Sequence, residues 1–167
     1  MKLQKATTAH KKRIMELIDE AKAFLQASGV DQWQDGYPDD KDIDKDIARS
    51  IGYVLEEEGH IIGYSAIDMA GEPAYATLKG QWLNDDPYIV VHRMAVDNTQ
   101  KGKGIAQAMF REVENLAKEQ DIHTIRIDTD EDNTIMRHIL EKQGYTYCGT
   151  TVSYTHLRAH ETPEHLV

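Results

Sequence analysis

An apolar run from Tyr88 to Val96 passes through the polar stretch Asp97-Asn98-Thr99-Gln100-Lys101-Gly102-Lys103-Gly104 straight into a helix pattern with Ile105, Met109, Val113, Leu116 and Ala117 on one side. A strand that turns on glycines into an amphipathic helix confines the chain to an α/β arrangement, because the helix must fold back over the sheet to bury its stripe. The turn also carries chemistry. The first N–H groups of a helix lack intrahelical acceptors and sit at the positive end of its dipole, so phosphate is the natural guest there. A side chain at Gly102 or Gly104 would block close approach, and Lys101 and Lys103 add positive charge. Familiar nucleotide motifs fit poorly. A dinucleotide fingerprint wants a third small residue where Gln107 stands, and a P-loop wants Lys-Ser/Thr where Ile105-Ala106 stand. Taken alone, Gly-x-Gly also fits a plain tight turn.

The rest of the chain alternates in the same way. Ile14, Leu17, Ile18, Ala21 and Leu25 recur at helical spacing between Lys11 and Ser28, with Thr7 or Thr8 as cap and Gly29 as stop. The stretch Val30 to Pro38 mixes aromatics with turn formers and reads as a loop. A short acidic helix from about Asp40 to Ser50 buries Ile43 and Ile47, and Tyr53-Val54-Leu55 pairs with Ile61 to Ile67 through Glu57-Glu58-Gly59 as a hairpin. Ala70 to Asp86 is a broken, polar connection. A strand from Thr124 to Asp128, a helix from about Asn133 to Gln143 stopped by Gly144, and the segment Tyr145 to Cys148 follow. The pattern predicts helices on a mixed sheet.

At 167 residues the chain holds one ordinary domain. Its net charge of −10 argues against tracking nucleic-acid phosphates, which needs a basic stripe, and favours cationic or neutral small partners. One cysteine, Cys148, excludes an intrachain disulfide framework and a four-cysteine zinc site. No apolar run has membrane-spanning length and the N-terminus lacks a signal-peptide core, so a soluble cytoplasmic protein is expected, with neither membrane nor metal.

The run Arg93 to Ala106 resembles the acetyl-CoA signature of the Gcn5-related N-acetyltransferase (GNAT) family, Gln/Arg-x-x-Gly-x-Gly/Ala, with Lys101, Gly104 and Ala106 in its three fixed places. A second block matches downstream, at Asn133, Ile139, Glu141-Lys142 and Gly144-Tyr145. The resemblance covers Met1 to about Thr151 and, through Asp31 to Pro38, His92-Arg93 and Arg126 to Thr129, points to a bacterial branch of the family. It implies the GNAT fold, a mixed, mostly antiparallel sheet flanked by helices, and transfer of the acetyl group of acetyl-CoA directly to a primary amine of a small molecule or protein. It further implies that N–H groups from Gly102 through Lys103, Gly104 and Ile105 to Ala106 hold the diphosphate of CoA. The backbone of Met94 and Val96 would pair with the pantetheine arm, and Asn133 would sit near the thioester. Lys101, where the family prefers Gln or Arg, keeps a donor and a charge. A homodimer is the assembly to look for.

Such a transfer needs a neutral amine and a proton for the leaving thiolate. His92 is the candidate base: strand alternation gives it the same face as Val96, and arylalkylamine acetyltransferases of the family carry a histidine there. A histidine satisfied by a neighbouring carbonyl is the other reading. Arg93 faces away and is expected to pair with a carboxylate. Many relatives supply a tyrosine as acid where this chain has Leu140, so Tyr88, Tyr37 or water would have to serve, or catalysis would rest on positioning. That departure also motivates a second function, a catalytically weak acyl-CoA-binding regulatory or sensor module. A generic nucleotide-binding α/β domain is a third. Trp33, Tyr37 and Trp82 are candidates for an aromatic wall around the amine, with Asp31, Asp35, Asp85 or Asp86 supplying charge; the two tryptophans also fit as staples of loops to the sheet. Cys148 reads as packing.

The texture changes after Thr151. The string Val152 to Thr162 resembles one reading frame of a transposase-type sequencing adapter, which divides the chain into a GNAT domain over 1–151 and a non-native tail over 152–167. The implied consequence is loss of the last native strand, which the family inserts between the two preceding ones, or its replacement by an accidental strand. The pair His156 and His160, four apart, is then no metal site.

Overall fold

The computed structural model describes residues 1–100 and 102–151, with the backbone of 152, 158–159 and 162–163. It forms two compact units, Met1–Ile67 with Arg93–Glu112, and Asp68–His92 with Val113–Val167.

In the first unit, β1 (Lys2–Lys5), β2 (Gly52–Glu57) and β3 (His60–Asp68) run antiparallel, with Leu3 opposite Leu55 and Val54 opposite Tyr64. Glu58 and Gly59 turn the β2–β3 hairpin with φ of 50° and 81°, the left-handed pair that a two-residue turn needs to follow strand twist. A short 3-10 turn leads into α1 (Lys11–Ala27), whose stripe Ile14, Leu17, Ile18 and Leu25 is buried. Asp39 caps α2 (Asp40–Ala48), accepting from the N–H groups of Lys41 and Asp42. The end of β5 (Ile89–Val96) lies beside β3, where Asp97 N–H donates to Ile62 O at 2.8 Å. The first half of α3 (Ile105–Glu119) seats Ile105, Ala108 and Met109 on Leu55 and Ile62. A Cβ at Gly63 would come within 2.7 Å of Met109 Cε, so the absence of a side chain on β3 lets the helix settle.

In the second unit, the start of β5 pairs in parallel with β6 (Ile125–Ile127), from Ile89 opposite Ile125 to Val91 opposite Ile127. Asn133 caps α4 (Thr134–Lys142), and its side chain accepts from Met136 N–H at 3.1 Å. Gly144, at φ 87°, releases the chain into β7 (Tyr145–Thr146) and β8 (Gly149–Val152). The connection from Ala70 to Asp86 holds a 3-10 turn, Pro73–Thr77, and a short strand, β4 (Lys79–Gly80), which pairs with β8. Loop composition hides β4 because its partner is distant in sequence. Gly80 and Gly149 face each other so closely that a Cβ on Gly80 would sit 2.1 Å from Cys148 O. β9 (Arg158–Ala159) pairs with β8, and β10 (Thr162–Pro163) with β7. The remainder of the adapter-like string, including His156 and His160, lies outside the described residues.

The predicted elements form close to their expected bounds. Ile47 and Leu116 are only half-buried, whereas Asp46 and Phe110 are inside, at 2% and 0% exposure.

Candidate functional site

The glycine turn begins on a fixed carboxylate. Asp97 accepts from Thr99 N–H at 2.9 Å, Thr99 Oγ1 at 2.6 Å, Gln100 Nε2 at 3.1 Å and Arg13 Nη2 at 3.1 Å. Burial would raise its pKa, but the hydrogen bonds from Thr99 and Gln100 and the charge of Arg13 outweigh burial and hold it below the ordinary aspartate value. Beyond it, Gly102 and Gly104 take φ of 84° and 66°, a conformation that costs other L-residues free energy. A Cβ on Gly102 would meet nothing within 4 Å, and one on Gly104 would meet only Gln107 Oε1, at 3.6 Å. Among the described residues, nothing else crowds these two positions. Open backbone and the start of a helix of 15 residues suit a diphosphate, and Lys103 stands beside them. Lys101 lies outside the described residues.

One strand back, β5 is interrupted. Arg93 has φ 52° inside the strand. Strand alternation does not survive a left-handed residue, so the expectation that His92 shares a face with Val96 is not supported by the backbone. The Arg93 guanidinium grips Asp46 on α2 in bidentate fashion, Nε to Oδ2 at 2.8 Å and Nη2 to Oδ1 at 2.6 Å, and donates through Nη1 to Tyr37 OH at 2.8 Å. Tyr64 OH donates to Asp46 Oδ2 at 2.5 Å. Burial, with the adjacent Asp46 charge, pushes the Tyr64 phenol far above its ordinary pKa; burial also raises that of Tyr37, against the opposing pull of Arg93. Met94 and Val96 pack partly buried against the core, and Trp33 is buried at 8% exposure.

The second unit holds the remaining candidates. His92 Nε2 lies 3.8 Å from Glu72 Oε2. Tyr75, 2% exposed, donates to Asp128 Oδ2 at 3.0 Å; burial first, then Asp128, drives its phenol well above the ordinary pKa. The Arg126 guanidinium sits 4.2 Å from the Trp82 ring centre and 4.0 Å from that of Tyr88, and donates to Asn84 O at 2.8 Å. Trp82 Nε1 donates to Tyr75 O at 3.1 Å. One face each of Trp82 and Tyr88 thus already carries a protein cation. Leu140, where the resemblance implies a tyrosine, is fully buried.

The family model for the GNAT acetyltransferases matches residues 13–145. The chain belongs to the GNAT family. Among solved structures, a GNAT-family acetyltransferase from Streptococcus agalactiae is 35% identical, with 97% of this chain and 94% of that chain covered and a TM-score of 0.88. One from Listeria monocytogenes is 21% identical, covering 99% and 94% at a TM-score of 0.75. An acetyltransferase from Salmonella typhimurium, described with its cofactor acetyl-CoA, is 18% identical and shares the fold, covering 100% and 94% at a TM-score of 0.67. No curated protein matches the chain.

This GNAT chain enters α3 through two left-handed glycines, brings Tyr37 to Arg93 in one unit, and holds Trp82 and Tyr88 against Arg126 in the other. Sequence reasoning missed Asp46, Glu72, Tyr75, Arg126 and Asp128 as parts of these clusters. Asp46 had a signal: it stands three residues after Ile43, on the apolar side of α2, where an acid must be paired to be buried. Tyr75 had none, being a loop residue whose partner comes from a distant strand. No helix among the described residues is long and apolar enough to cross a membrane, and no group of three or more His, Cys, Asp or Glu among them could hold a metal.

Proposed function

We propose that this acetyltransferase moves the acetyl group of acetyl-CoA directly onto the nitrogen of a primary amine, on a small molecule or a protein, in the cytoplasm. The observation that carries the reading is the turn at Gly102 and Gly104: left-handed backbone, open space where side chains would stand, and a helix start behind it. In this reading the N–H groups from Gly102 to Ala106 take the diphosphate, the backbone of Met94 and Val96 takes the pantetheine arm, and Asn133 serves near the thioester. His92 accepts the proton of the ammonium. The amine then attacks the carbonyl carbon, the C–S bond breaks, the acetylated nitrogen gives up its extra proton to water, and the thiolate receives a proton from Tyr88 or water. A thiol of pKa about 8.5 leaves without a strong acid, which supports activity despite Leu140. Trp33, Tyr37 and Trp82 shape the amine side, with no part for a metal or nucleic acid.

Steady thiol release from acetyl-CoA over a panel of primary amines tests the proposal, with His92→Ala alongside. Release with at least one amine, and a His92→Ala variant with a lower rate and an altered pH profile, is expected. An unchanged profile removes His92 from the mechanism. A second reading, an acyl-CoA-binding sensor, is favoured by Leu140 alone; acetyl-CoA binding without release for any amine would select it.

A further inference from the structure

Non-glycine residues with left-handed backbone usually sit in turns, as Ser50, Glu58 and Asp121 do here, but Arg93 adopts φ 52° within β5. A strained residue persists where its surroundings over-determine it, and such residues gather at functional sites. The surroundings of Arg93 do this through its side chain. Three of its nitrogens are engaged, two by Asp46 and one by Tyr37. Asp46 is 2% exposed and is held in turn by Tyr64, whose residue is fully buried. A planar bidentate pair fixes direction as well as distance, so the guanidinium cannot follow the backbone if φ relaxes. Directly after this point come Met94 and Val96, and the parallel ladder to β6 covers Ile89 to Val91, ending two residues before it.

We propose that Asp46 and Tyr37 clamp the Arg93 side chain in order to hold the left-handed kink in β5, and that this kink orients the Met94–Val96 backbone for the pantetheine arm. Asp46 is then a positioning residue for acetyl transfer, buried on a helix and without contact to either substrate. Tyr37 links the loop between α1 and α2 to the same point, so ordering of that loop and of the CoA-side backbone are coupled. The inference rests on the acetyl-CoA reading given above.

The test separates the kink from the charge pair. In an Asp46→Asn background, which leaves no unpaired buried carboxylate, Arg93→Ala keeps a Cβ that disfavours φ 52°, whereas Arg93→Gly adopts that φ freely. Acetyl-CoA affinity is measured by titration calorimetry on the wild type and both double variants, with folding checked by circular dichroism. The expected order is affinity within about threefold of wild type for the glycine variant and a loss of about tenfold or more, about 1.4 kcal/mol, for the alanine variant. A wild type that fails to bind acetyl-CoA refutes the underlying reading of the turn. A binding wild type with both double variants within about threefold of it overturns the clamp. Should the double variants not fold, Tyr37→Phe decides: acetyl-CoA binding about twofold to threefold weaker supports the clamp, and unchanged binding overturns it.

Discussion

Gly102→Ala discriminates a phosphate cradle from an ordinary turn. With φ at 84° and nothing within 4 Å of the added methyl, the substitution meets no steric clash among the described residues. Its cost is conformational: about 1–2 kcal/mol for a left-handed L-residue, offset by about 0.4–1 kcal/mol from the stiffer unfolded chain. The net loss of about 1 kcal/mol lowers Tm by about 2–4 °C for a chain of this length. Gly59 in the β2–β3 turn is the matched control, with φ 81° and likewise nothing within 4 Å of its Cβ. Gly59→Ala and Gly102→Ala should therefore destabilise equally. They should differ in acetyl-CoA binding: in the proposed cradle the methyl at Gly102 would stand where the diphosphate approaches, and Kd should rise at least tenfold, about 1.4 kcal/mol, while Gly59→Ala leaves it unchanged. Thermal denaturation and titration calorimetry on the same samples read both quantities. Equal stability losses with unchanged Kd in both variants would refute the cradle and reduce the glycines to turn formers.

Gly80→Ala and Gly149→Ala should each cost about 2 kcal/mol or more, since each Cβ strikes the opposing backbone, at 2.1 Å and 2.4 Å, and φ of 149° at both positions adds strain; the double variant, read by denaturant unfolding, should fall short of the sum because the first clash already opens the pair. The folded pKa of Asp97 lies below the ordinary 3.8, so its contribution is complete above pH 3.8 and disappears as pH falls through the depressed value. The stability gap between wild type and Asp97→Asn should accordingly be flat from pH 7 to about 5 and narrow in stronger acid. Leu140→Tyr, which introduces the residue the resemblance implies, should destabilise by about 1–3 kcal/mol in thermal denaturation because the site is fully buried, with no gain in thiol release.

Much of the fold was legible because its signals are local. The periodicities of α1 and α3 follow from which side chains one helix face buries, and the two-residue hairpin turn and the glycine turn declare themselves through residues that tolerate left-handed backbone. The family blocks at Lys101, Gly104 and Ala106 and at Asn133 to Tyr145 rest on the same locality. Less legible was anything built from contacts distant in sequence. β4 exists only through β8, so nothing in the composition of residues 70–86 announces it. Alternation put His92 and Val96 on one face, and the left-handed backbone of Arg93 between them interrupts the regular strand on which that inference depends.

The sequence by itself settled the four main helices, the β2–β3 hairpin, the place of the glycine turn and the membership of the chain in its family, because each depends on residue type and spacing alone. Only the tertiary structure decided that Asp46 is buried against Arg93, that Arg126 occupies faces of Trp82 and Tyr88, and that Tyr75 binds Asp128. The physical reason is that a charge or phenol is stable in the interior only with a partner, and that partner is chosen by chain topology, across separations no local pattern records.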